Sequence, residues 1–142
     1  MTGLLNVPIP EKKLTSPKKS SEDSVLLKTY IQIAECLELD EDWDGEGGLP
    51  VSQATVAMAN NIVTSIFANQ RVVSKWVTPS VTPDPNGRIV LLWRLSDQRV
   101  RVILEGTKDD TAIFIRTPIT GIPVREVLSL QHLQNRLMTL LA

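Results

Sequence analysis

The hydrophobic positions change their period twice along the chain, once near residue 70 and again after residue 120. From Ser21 onward, Val25, Leu26, Tyr30, Ile33, Ala34 and Leu37 recur three or four residues apart, as one face of an amphipathic helix requires. This predicts a helix over about 22–39, with Ser20 and Asp23 spaced as an N-terminal cap. Val56, Ala59, Ile62, Val63, Ile66 and Phe67 repeat the pattern after Pro50, and Ser52 stands where a capping hydroxyl belongs. A second helix is predicted over about 52–69.

Beyond residue 70 the period falls to two. Pro79, Pro83, Pro85 and the Asn86-Gly87 pair surround Val81, which suits an edge strand running into a tight turn. Arg88 to Leu95, Arg99 to Glu105 and Thr111 to Thr117 read as strands, linked by Ser96-Asp97-Gln98 and by a turn over 106–110. Consecutive strands on short links make an antiparallel meander. After Pro118, Gly121 and Pro123, the residues Val127, Leu130, Leu133, Leu137 and Leu140 return to helical spacing, predicting a third helix over about 125–141. The expected fold is α+β: an antiparallel three- to four-stranded meander packed on one face by two N-terminal helices and a C-terminal helix. Residues 21–142 read as one domain. Residues 1–20, rich in Pro, Lys and Ser, read as a flexible basic arm that serves as a solubilising tail or docks on an acidic partner.

The strand pattern also makes a prediction about faces. Pairing Leu95 with Val100 sets Trp93 opposite Val102 and Leu91 opposite Leu104, an apolar ladder that must be buried under the helices. Arg94 then faces Arg101 on the other side, with Arg99, Arg88 and Arg116 beside them and Val90, Leu92, Ile103 and Phe114 between. Guanidinium forks on an apolar bed suit bidentate capture of carboxylates or phosphates; alternatively they cover an apolar outer face and are neutralised by Glu105 or Asp97.

Composition bounds the function. The 142 residues are 42% hydrophobic and 22% charged, which excludes extensive disorder, and no apolar run is long enough for a membrane helix. Fifteen Lys and Arg against sixteen Asp and Glu leave a net charge of −1, with a pI near 5.8, against a dedicated nucleic-acid binder though not against a local basic patch. The first twenty residues, with Lys12, Lys13, Lys18 and Lys19 among prolines, lack the apolar stretch of a signal peptide. With the single Cys36, this makes the cytoplasm the default compartment.

The acids are clustered. Glu35, Glu38, Asp40, Glu41, Asp42, Asp44 and Glu46 follow one another with no Lys or Arg between them. Asp40-x-Asp42-x-Asp44-Gly45 reproduces the start of a calcium loop, but Val51 stands where the closing bidentate Glu belongs. Asp40, Asp42 and Asp44 are therefore weak metal candidates. The alternatives are an irregular turn, in which Gly45, Gly47 and Gly48 take positive φ, Trp43 plugs into the core and Asp44 caps amides, or a partner-facing loop carrying Asp42, Asp44 and Glu46.

Two motifs stand out: Trp43-Asp44-Gly45-x-Gly47, followed by Pro50 and a helix with Ala54, Ala57 and Ala59; and Pro79-x-Val81-x-Pro83-x-x-x-Gly87-x-Ile89-x-Leu91-x-Trp93. Over about residues 25–117 the chain resembles a group of small uncharacterised bacterial and phage proteins with this W-D-G-x-G loop and hairpin. The resemblance implies a small α+β domain with no known reaction, acting as a partner or inhibitor in a defence, phage or toxin–antitoxin setting.

Catalytic groups are scarce. His132 lies in the third helix between Leu130 and Leu133, Cys36 lies beside an apolar face, and no phosphate loop, zinc spacing or nucleophile elbow is present. The expectation is a non-enzymatic protein-interaction module without a cofactor, binding another protein or its own copy through Arg94, Arg99, Arg101 and Arg116 and through Asp42, Asp44 and Glu46. Nucleic acid bound on the arginine face with help from the lysine arm, and metal held by the acidic loop, are the alternatives.

Overall fold

The computed structural model describes residues 17–69, 77–106 and 110–141, with side chains from residue 26 on. The chain runs α1 (Pro17–Glu35), a 3-10 turn (Cys36–Glu38), α2 (Gln53–Ala68), β1 (Ser80–Asp84), β2 (Arg88–Arg94), β3 (Gln98–Leu104), β4 (Thr111–Pro118), β5 (Val124–Ser129) and α3 (Leu130–Leu141). The strands form one antiparallel sheet in the order β1-β2-β3-β4-β5. The fold is α+β, with five strands in place of the expected three to four. No helix is long and apolar enough, among the described residues, to cross a membrane.

Helix α1 starts inside the expected 1–20 arm, at Pro17, because proline is tolerated at the first helical position, where its missing N–H would have no partner. The rest of the arm, with Lys12 and Lys13, lies outside the described residues. The buried side of α1 and its 3-10 turn carries Thr29, Ile33 and Cys36, with Ala34 and Leu37 exposed, so the face is rotated from the expected one. Helix α2 buries Val56, Met58, Ala59, Ile62, Val63 and Ile66. Its start is set by Ser52, whose hydroxyl accepts the Thr55 N–H at 3.1 Å. The Thr55 hydroxyl in turn accepts the N–H of Gly106 at 2.9 Å, tying the turn after β3 to the first turn of α2. A Cβ on Gly106 would stand 2.5 Å from the Ala54 carbonyl, so this approach requires glycine.

The helices line one side of the sheet: α1 contacts β1, α2 contacts β2 and β3, and α3 contacts β4 and β5. Beneath them Ile89, Leu91, Trp93, Val100, Val102, Leu104, Ala112 and Phe114 are buried and join Leu133, Leu137 and Leu141 of α3 in one core. The inward-facing ladder predicted for β2 and β3 is therefore present, but its register differs. Leu91 faces Val102, Trp93 faces Val100 and Arg94 faces Arg99, two residues from the expected pairing. The cause is a tighter turn: Leu95 N–H reaches Gln98 O at 2.9 Å, leaving Ser96-Asp97 as a two-residue loop. A slip of two keeps every side chain on its face, because strand side chains alternate with period two.

The larger departure is at the C-terminal end. Residues 125–129, expected as the start of the third helix, belong instead to the edge strand β5, and α3 begins only at Leu130. The Ser129 hydroxyl accepts the His132 N–H at 3.2 Å and opens the helix.

Candidate functional site: the open face of the sheet

No described helix covers the other side of the sheet. Register across the five strands lays out this face row by row. Thr82, Val90, Ile103, Ile113 and Val127 stand side by side, giving an apolar row. The next row holds Ser80, Leu92, Arg101, Ile115 and Arg125, and beyond it Arg94, Arg99 and Thr117. Val90, Leu92, Ile103, Ile113 and Ile115 are half-buried by their neighbours, whereas Arg94, Arg99, Arg101 and Arg125 are exposed. Alongside the apolar row, on the side away from these arginines, lies a shallow depression of about 270 Å³ between Arg88, Ile103, Glu105, Thr111, Ile113 and Val127.

The arginines differ in what they touch. Arg94 donates to the Ser80 hydroxyl at 2.8 Å across β1. Arg88 pairs with Asp84 at 3.0 Å and is half-buried, so its charge is largely spent within the hairpin. Arg99 and Arg101 make no ion pair with another described residue. Arg94 and Arg99 stand directly opposite each other, an arrangement that costs stability unless an anion bridges it.

Arg116 does not belong to this group. It pairs with Val100 and Val124, and Phe114 pairs with Val102 and Glu126, which puts Arg116 and Phe114 on the helix side. The four consecutive apolar residues Ala112 to Ile115 carry no alternation from which the side could be read. There Glu126 accepts both Arg136 terminal nitrogens, at 2.8 and 3.4 Å, and the Arg136 guanidinium lies 5.4 Å from the centre of the Phe114 ring. The hydrogen bond from Arg136, with the charges of Arg136 and Arg116, holds the Glu126 carboxyl below its ordinary pKa. Conversely, Arg125 was not anticipated on the open face, because its segment was read as helix.

The acidic loop lies between α1 and α2, beside the β1–β2 turn, where Leu49 N–H bonds Pro85 O at 2.8 Å. Two of its carboxylates, Asp42 and Asp44, bond the loop's own backbone. Asp44 Oδ1 accepts the N–H groups of Glu46 (2.9 Å) and Gly48 (2.8 Å), and Asp42 Oδ1 accepts that of Gly47 (2.6 Å). The two bonds to Asp44 lower its pKa. Positive φ is supplied by Asp42, Gly45 and Gly47; Gly48, expected in that set, is needed for space, since a Cβ would meet Asp44 Oδ1 at 2.7 Å. Trp43 is half-buried instead of plugged into the core, and its indole N–H closes the loop on Leu49 O at 2.8 Å. Asp40 and Glu46 are exposed. Among the described residues, no three His, Cys, Asp or Glu side chains converge as a metal site would require.

Cys36 is buried, and burial pushes its thiol pKa up, away from a reactive thiolate. His132 is exposed on α3. Comparison of the chain with family models, with proteins of described function and with solved structures finds no match.

Proposed function

We propose that the protein is an interaction module that binds an acidic segment of another protein on the open face of its sheet. The observation that carries this reading is the juxtaposition of Arg94, Arg99, Arg101 and Arg125, all exposed, with the half-buried Leu92, Ile103, Ile113 and Ile115. Exposed guanidiniums steer the encounter and fork onto carboxylates, while the aliphatic residues between them supply buried area. Function is then occlusion: the bound segment is withheld from its other contacts. The likeness of the loop and hairpin motifs to small bacterial and phage proteins favours an inhibitor or accessory subunit, and the reading assigns no catalytic group.

The test uses a fluorescent peptide of alternating glutamate and leucine and, in parallel, a DNA duplex. The peptide is expected to bind, weakening with salt and losing about tenfold or more in affinity in Arg99→Glu or Arg101→Glu, since each charge-assisted contact contributes roughly 1.5–3 kcal/mol. Tighter binding of the duplex, with a steep salt dependence, would replace the acidic peptide by nucleic acid as the ligand. Binding of neither overturns the reading.

A further inference from the structure

The sheet has two edges, and they are protected differently. β1 contains Pro83, lies between Pro79 and Pro85, and is flanked by α1. β5 contains no proline, follows a regular register with β4, and has no described strand on its outer side. Natural sheets blunt exposed edges with proline, lysine, bulges or a covering segment, because unpaired backbone groups recruit another strand. Among the described residues, the three most exposed large apolar side chains, Ile122, Ile119 and Val127, lie on β5 or in the turn leading into it.

The backbone of β5 specifies which groups are unpaired. Leu130 N–H bonds Asp110 O at 3.0 Å, and this pair continues the β4–β5 register. Antiparallel pairs alternate between bonded and non-bonded, so Leu128, Glu126 and Val124 bond to β4 and Ser129, Val127 and Arg125 point their N–H and C=O groups outward. The same alternation holds between β3 and β4, where Ile119 N–H bonds Asp97 O at 3.1 Å.

We propose that β5 pairs antiparallel with β5 of a second copy about a two-fold axis at Val127, joining the two sheets into one. In this register Val127 meets Val127, Arg125 meets Ser129, and every outward donor of these three residues finds an acceptor. Charge selects it over the two registers centred nearer the start of β5. A shift of the axis to Glu126 sets two Glu126 side chains face to face, and a shift to Arg125 does the same for two arginines; like charges directly opposite are destabilising. Centring on Val127 also runs the apolar row Val90, Ile103, Ile113, Val127 into its symmetry mate, so two arginine-bearing faces become one continuous surface. A two-fold contact of this kind is self-complementary and closed. The pairing does not depend on the acidic-partner reading, since it is measured on the isolated protein without peptide.

Sedimentation velocity of the full chain from micromolar to millimolar concentration tests it. The wild type is expected to pass from monomer to dimer. Val127→Pro removes an N–H that β4 does not use, and proline is tolerated on an edge with its nitrogen outward, so this variant is expected to stay monomeric with a native circular dichroism spectrum. Val127→Lys, which leaves the backbone donor in place, is expected to be monomeric as well. Hydrogen exchange gives a second readout: amides of Arg125, Val127 and Ser129 should lose protection on dilution while those of Glu126 and Leu128 retain it. A wild type that is monomeric at millimolar concentration, a Val127→Lys variant that dimerises like the wild type, or protection of the odd-numbered amides that ignores dilution overturns the proposal.

Discussion

The two faces of the sheet share five strands and one register, yet they have been filled by different rules. On the helix side β2 and β3 place Ile89, Leu91, Trp93, Val100, Val102 and Leu104, all essentially without solvent contact. On the open side the same strands place Val90, Leu92 and Ile103 among Arg88, Arg94, Arg99 and Arg101. The first face reports what holds the domain together. The second carries apolar area that folding leaves half in water, and charge that folding sets against like charge.

The contrast is broken most sharply by truncation. Trp93→Ala should cost about 3–5 kcal/mol in urea unfolding, because it empties a fully buried site beneath the helices. Leu92→Ala, one residue along on the open side, should cost roughly 1 kcal/mol or less, since Leu92 is only partly removed from water; equal losses would dissolve the distinction. Gly106→Ala, which presses a methyl group into the start of α2, should destabilise by about 1–3 kcal/mol, read in the same assay. Ser52→Ala removes the cap of the helix that roofs β2 and β3 and should cost about 1 kcal/mol. On the open face the sign should reverse: Arg99→Thr separates two facing guanidiniums and puts a β-branched residue in a strand, so the thermal midpoint should rise slightly, by no more than about 1 kcal/mol of stability.

The smallest expected effect lies outside the sheet. The folded state lowers the Asp44 pKa through its bonds from Glu46 and Gly48. Its contribution is therefore present above the ordinary carboxylate pKa of about 4 and is lost as pH falls further, through the lowered folded value. Trp43 fluorescence followed during acid titration should change in that window, and Asp44→Asn should flatten the response.

Much of this was legible in the residues, and the exceptions have physical causes. Helix α2 was marked by its period and by Ser52, and the faces of β2 and β3 by strict alternation. The β2–β3 register was displaced by two because nothing in Ser96-Asp97-Gln98 distinguishes a two-residue loop from a longer one. The side taken by Arg116 was hidden because β4 carries Ala112 and Phe114 on the helix side and Ile113 and Ile115 on the open side, so no alternation marks its faces. β5 was concealed more thoroughly: Val124, Val127 and Leu128 stand at i, i+3 and i+4, the spacing of a helix, because Val127 is apolar on the side where alternation calls for a polar residue. The residue that disguised the strand is the one at the proposed dimer axis. The arginine face was thus visible in part, without Arg125 and with Arg116 wrongly included, and of the two carboxylates that bond the acidic loop's backbone, Asp42 and Asp44, only Asp44 was visible.

The Thr55 hydroxyl has a kinetic consequence. It stands at the start of α2 and receives an amide from a residue 51 positions later in the chain. A contact that begins as local geometry at a helix end is completed only when the β-hairpin has formed and docked, after a long loop has closed. Fraying of the first turn of α2 therefore breaks the bond that holds the Gly106 amide, which couples the opening of the helix start to that of Gly106.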